Sequence, residues 1–145
     1  MLLQTAKLLR YLQDGITMLA TKSVHPLVSI VAYLQGAYYA VTGIWPLIHI
    51  NSFEAVTGPK TDDWLVQTVG LLVLVTGIVL LVAAWRRRIT VEIVILACGN
   101  AVSLALVDLV FVTQGRIAPI YLADALAEVV LIFGWATGAF LSRNS

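Results

Sequence analysis

Apolar residues run along this chain in four blocks separated by short polar connections, and each block is long enough to cross a hydrocarbon core of about 30 Å. The blocks fall at about 27–47, 64–85, 91–113 and 119–141, and none shows the strict alternation of a half-buried strand. Before them, Leu2, Ala6, Leu9, Leu12, Ile16 and Leu19 recur on one side of a 3.6-residue period, with Lys7, Arg10, Asp14 and Thr17 on the other. The charges interrupt its apolar face too often for a span or a signal peptide, so residues 1–22 read as an amphipathic helix. It is expected to lie on the membrane surface or to pack against the bundle or a partner subunit.

Punctuation agrees with the blocks. Pro26 suits the first turn of a helix, Trp45-Pro46 closes the first span, and Pro119 opens the fourth. Residues 49–63 form the one substantial loop, with a turn signal at Gly58-Pro59 and Thr61 or Asp62 as candidate caps for the next helix. Trp64 and Trp85 stand 21 residues apart, roughly 31 Å along a helix, which places an aromatic anchor at each membrane edge. The expected fold is an all-α membrane protein: a four-transmembrane-helix bundle over 23–145, preceded by an N-terminal amphipathic surface helix.

Composition removes other classes. The chain has 145 residues, 60% hydrophobic and only 12% charged, whereas a soluble domain carries about 25% charged residues. Nine basic and eight acidic side chains leave a net charge of +1, so no basic excess invites nucleic acid. The basic residues are sorted by topology instead. Lys7, Arg10, Lys22, Arg86, Arg87, Arg88 and Arg143 fall on one side of the membrane, and Lys60 and Arg116 on the other. By the positive-inside rule both termini are cytoplasmic and the 49–63 loop is outside, in a multi-pass protein of the cell (plasma or inner) membrane. A lone Cys98 offers no internal disulfide and reads as a small buried residue.

Small residues indicate where helices meet. Ala32, Gly36 and Ala40 form a small-x-x-x-small stripe, and Gly36 and Gly43 in the first span are echoed by Gly70 and Gly77 in the second. Glycines seven apart on consecutive spans predict close contact between those two helices. Gly134-x-x-x-Gly138 on the fourth span suits either a dimer face or internal packing.

The least expected residues are acids inside spans. Asp124 and Glu128 are one turn apart on the fourth helix, and Asp108 lies on the third. Counting from Thr113 and Pro119, they lie five, nine and five residues deep for Asp124, Glu128 and Asp108 respectively, all in the outward half or at the midplane. Ala97, Ala101, Ala105 and Asp108 make one stripe, and Tyr121, Asp124, Glu128, Leu131 and Trp135 another, so the acids point at helix neighbours rather than lipid. Three carboxylates in one poorly solvated space cannot all stay ionised cheaply. Ionisable residues within spans are functional-site hypotheses. The candidate ligand-binding or proton site is therefore Asp108, Asp124 and Glu128, walled by Tyr121 and Trp135, with Asn100, Gln35 and Gln67 as polar neighbours. The structural alternative is that protonated acids hydrogen-bond Gln35, Gln67, Thr68 or Asn100 and staple the bundle. His49, Glu54, Asp62 and Asp63 sit above the opening as a candidate lid, beside Lys60.

No Ser/His/Asp or Cys/His arrangement, phosphate loop or metal-ligand spacing is present in the sequence, so no catalytic residue, metal or cofactor is assigned. Several features together are similar to a known group. Gly43-Ile44-Trp45-Pro46 in the first span, the apolar block from Gly70 to Gly77, Val107-Asp108 in the third span and an acid in the outer half of the fourth resemble the small four-helix membrane proteins of the DoxX-like group. The resemblance covers roughly 27–140 and implies a membrane subunit working beside quinone-linked or sulfur-oxidising enzymes. The amphipathic amino terminus and Tyr38-Tyr39 depart from that group's pattern.

The leading functional expectation is a protein binding a small amphipathic, lipid-like or cationic ligand, a quinone-like one included, in an outward acidic pocket between the third and fourth spans. The alternatives are an accessory subunit of a larger membrane complex, redox complexes included, a homodimer among its arrangements, and a proton-coupled transporter of small molecules. Acid/base catalysis by Asp124 and Glu128 is the minority reading.

Overall fold

The computed structural model describes residues 25–144, with side chains to 142, and the amphipathic helix expected over 1–22 lies outside the described residues. Among the described residues five helices follow one another: α1 (Pro26–Ile48), α2 (Ile50–Thr57), α3 (Asp63–Trp85), α4 (Val91–Thr113) and α5 (Tyr121–Asn144). Four of them are long and apolar enough to cross a membrane, and among the described residues there is no strand. The protein is an all-α, multi-pass bundle. Val41, Leu72, Leu106, Val130 and Phe140 point outward from the four long helices and are more than half exposed, as suits a surface solvated by lipid tails.

α1 and α3 form one close antiparallel pair, α4 and α5 the other, and α1 also meets α5. The first pair is locked by glycine. A Cβ at Gly36 would lie 2.9 Å from the Gly77 carbonyl oxygen, and one at Gly43 would lie 2.6 Å from that of Gly70. The two glycine pairs of the sequence echo thus face each other crosswise, as antiparallel helices require. On the opposite side of α1, Val31 packs on Gly134 and Val28 on Gly138 of α5. That stripe, which also suited a dimer face, is occupied within the chain.

The ends of the helices follow local chemistry. Pro26 occupies the first turn of α1, and His25 accepts from the Leu27 amide through Nδ1. Pro46 does not stop α1, which continues to Ile48; its ring packs against Gly70, where a side chain would collide. The 49–63 segment is not a bare loop, because His49 caps a short helix there. Its Nδ1 accepts from the Ser52 amide at 3.1 Å, and the Trp45 indole donates to the Ser52 hydroxyl at 2.8 Å while stacking edge-on against Phe53. Gly58 ends α2 at φ 85. Asp62 stands at the cap position of α3 but its side chain makes no capping bond. α5 begins at Tyr121, after a tight turn through Pro119.

α3 and α4 end in the same hydrogen-bond pattern, with Arg88 reaching back to Ala83 and Arg87 to Ala84 in one, and Arg116 to Phe111 and Gly115 to Val112 in the other. The left-handed position is glycine in α4 (Gly115, φ 67) but arginine in α3 (Arg87, φ 50). Because a side chain costs roughly 1 kcal/mol there, Arg87→Gly is expected to raise stability by up to about that amount in thermal or denaturant unfolding. An unchanged or lowered midpoint would count against a strained Arg87.

The packed core is displaced to one end. Val28, Val31, Ala32, Leu80, Ala84, Ala97 and Trp135 gather toward the Arg86–Arg88 turn. Toward α2 the space between the helices is a cavity.

Candidate functional site

A chain of directed hydrogen bonds separates core from cavity. Trp135, buried on α5, has a donor-only indole N–H, which gives its proton to Gln35 Oε1 at 2.7 Å. That contact fixes the amide orientation of Gln35, so Nε2 is the donor, giving to the Ala97 carbonyl at 2.9 Å and to the Tyr39 oxygen at 3.0 Å. Tyr39 accepts from Gln35 and must turn its single proton elsewhere. It donates to Glu128 Oε2 at 3.0 Å. Every member of this relay is buried to 2% exposure or less, and every step runs the same way, ending on the carboxyl of Glu128.

A second arm runs beside it. Tyr38 donates to Asp124 Oδ1, and Asp108 is 4% exposed on the buried face of α4. The acids form a string rather than a point: among the described residues no three His, Cys, Asp or Glu side chains are grouped to hold a metal ion. Two carboxyl oxygens, Asp108 Oδ2 and Glu128 Oε1, are buried without a hydrogen-bond partner. Such atoms cost roughly 1–3 kcal/mol each when left unmet, more when charged.

Glu128 and Asp124 form the polar floor of a cavity of about 750 Å³. Its walls are Gly43, Pro46, Val69, Gly70 and Val73 of α1 and α3, with Leu104 and Val107 of α4 and Ala123 and Ala127 of α5. Phe53, Val56, Thr57 and Lys60 cover the end, and Tyr121 stands at the rim beneath the Lys60 ammonium, which is 5.1 Å from its ring centre. A second cavity of about 620 Å³, bordered by Lys60, Asp62, Arg116 and Pro119, adjoins it on the same side. All four spanning helices line the larger space, which is therefore wider than the expected pocket between the third and fourth spans.

The structure sorts the sequence candidates. Asp108, Asp124, Glu128 and Gln35 come together, and the stripe Ala97, Ala101, Ala105 and Asp108 is the buried face of α4. Tyr121 lines the cavity, whereas Trp135 lies behind it on Gln35. Asn100 turns its amide back to the Leu96 carbonyl of its own helix at 2.9 Å, and Thr68 does the same to Trp64. Gln67 is only half-buried and does not border the cavity. Of the expected lid, His49 caps α2, Glu54 accepts from the Lys60 amide at 2.8 Å, Asp62 borders the outer cavity, and Asp63 is exposed at the start of α3. The covering is done by their neighbours Phe53, Val56, Thr57 and Lys60.

Tyr38 and Tyr39 are the site residues that sequence reasoning passed over. Their signal was available: two phenols at mid-span need partners, and Gln35 lies one helical turn before Tyr39 on the same face. Comparison with known proteins adds no constraint, since no family model, no curated protein and no solved structure matches the chain.

Proposed function

We propose that this protein binds a small amphipathic ligand, lipid-like or cationic, whose apolar body fills the cavity and whose polar head meets Glu128. The observation that carries this reading is Glu128, fully buried with Oε1 left without a partner, bordering a largely apolar space of about 750 Å³. Pockets of about 300–1,000 Å³ with apolar walls and a few convergent polar groups are the usual form of small-molecule sites. A bundle that needed only a staple would satisfy both oxygens of each carboxyl. The relay from Trp135 holds Glu128 in one orientation, so its carboxyl is preorganised. With both termini in the cytoplasm, as the distribution of arginine and lysine argues, the cavity opens to the outer face of the cell or inner membrane. A relationship to the DoxX-like group is part of the proposal and rests on Gly43-Ile44-Trp45-Pro46, the apolar block from Gly70 to Gly77, Val107-Asp108 and the acid in the outer half of the fourth span.

The test is calorimetric titration of the protein in zwitterionic-lipid nanodiscs with octylammonium, octanol and octanoate. At least one should bind saturably. Ala127→Phe, which places a ring in the cavity from its α5 wall, is expected to weaken that binding by about tenfold or more, equivalent to about 1.4 kcal/mol. Absence of saturable binding by all three, or indifference to Ala127→Phe, would overturn the reading.

A further inference from the structure

Apart from a proton held by a carboxyl, the described side chains at the floor of the cavity have acceptors to spare rather than donors. Tyr38 and Tyr39 each have one proton, and both are given to carboxyls, Asp124 and Glu128. Among the described residues the buried side-chain oxygens and nitrogens left without a partner are Asp108 Oδ2 and Glu128 Oε1, both carboxyl oxygens. The titratable groups facing Glu128 are Tyr38 and Tyr39 from α1, Asp108 from α4 and Asp124 from α5, with Tyr121 at the rim; α3 contributes only apolar residues and glycine to the lining. Among the described residues the one basic side chain bordering the cavity is Lys60, and it sits at the covered end. There its ammonium donates to the Thr57 carbonyl at 2.9 Å and lies over the Tyr121 ring. The rim therefore already holds one ammonium by a carbonyl and an aromatic face, the means by which such a cation is held generally.

We infer that the head group taken by this cavity is an organic ammonium, and that it replaces a proton on the Glu128 carboxyl as it binds. The inference rests on the ligand-binding reading above and names its chemical class. Three carboxyls disfavour an anionic head, and a neutral alcohol brings a donor without a charge. An ammonium brings both. The exchange balances: the carboxyl O–H bond breaks, the proton leaves to solvent through the α2 end, and an N–H donates to the freed oxygen. The net charge of the buried site is unchanged, which matters because adding an uncompensated charge at membrane depth is expensive. Tyr39 continues to donate to Oε2 throughout, so the relay need not rearrange.

The experiment is titration of the full-length protein in nanodiscs with octylammonium and with octanol, in two buffers of different ionisation enthalpy, at several pH values below about 9, where an alkylamine is charged. The expected result is about one proton released per octylammonium bound. Its affinity should rise by up to about tenfold per pH unit while the carboxyl is protonated and level off above that range. Octanol should bind at least about tenfold more weakly, by the greater strength of hydrogen bonds to charged groups. Glu128→Gln keeps an acceptor for Tyr39 and is expected to remain folded while losing both the proton release and about tenfold or more in octylammonium affinity. Octanol binding as tightly as octylammonium, with no proton released, overturns the ammonium inference and leaves the ligand-binding reading standing. Binding of neither, or binding insensitive to Ala127→Phe, overturns both. The proton count on the unmodified protein decides the matter even where Glu128→Gln fails to fold.

Discussion

Replacing Gln35 by leucine is expected to destabilise the bundle by about 2–3 kcal/mol, although leucine has nearly the same volume and is more apolar. The cost is that of a buried donor left without an acceptor. Trp135 is 2% exposed and its indole N–H has Gln35 Oε1 as its partner; at that depth no water is at hand to substitute. The Ala97 carbonyl loses an extra bond but keeps its place in the α4 ladder, and Tyr39 loses a donor but still gives its proton to Glu128. Most of the penalty therefore sits on one atom, and a second substitution should remove it. Gln35→Leu with Trp135→Phe, which deletes both polar ends, is expected to recover the larger part of the loss. Equilibrium unfolding in mixed micelles measures both. A single variant within about 0.5 kcal/mol of the parent, or a double variant as unstable as the single, would mean that the relay is not carried by Gln35.

That relay also marks the limit of what the sequence disclosed. The helices were legible because four long apolar blocks with proline and tryptophan at their edges leave few alternatives, and Asp108 could be placed by the alanines three and four residues apart behind it. Burial on α4 follows that stripe. Individual hydrogen-bond partners were not legible in the same way. Asn100 lies next to the buried stripe, but an amide on a helix can bond either a neighbour or its own preceding turn, and residue type alone does not decide which; here it bonds Leu96. Gln35 and Gln67 are the same residue in successive spans, and only the packing of α1 between α3 and α5 distinguishes them. A pocket between the third and fourth spans was expected from the acids, but its full extent was hidden for a related reason. It is lined by all four long helices, and its cover depends on α2, an eight-residue helix whose His49 cap resembles ordinary loop chemistry in sequence.

Gly43→Ala is expected to cost at least as much, near the upper end of the range of about 1–3 kcal/mol for overpacking. An added methyl would lie 2.5 Å from the Leu74 amide nitrogen and 2.6 Å from the Gly70 carbonyl oxygen. Both are backbone atoms of α3, so no side chain can turn aside to accommodate it. α1 and α3 would have to separate locally, and that separation would reach the cavity, because Gly43, Pro46 and Gly70 form part of its wall. The variant should therefore lose stability and change ligand-probe affinity together. Gly99→Ala supplies the contrast: a methyl there meets nothing within 4 Å, and alanine is the better helix former by up to about 1 kcal/mol. Gly99→Ala is thus expected to be neutral or mildly stabilising with octylammonium binding unchanged, whereas equal losses at both positions would point to a general intolerance of methyl groups on these helices rather than to the crossed glycine contact that shapes the cavity.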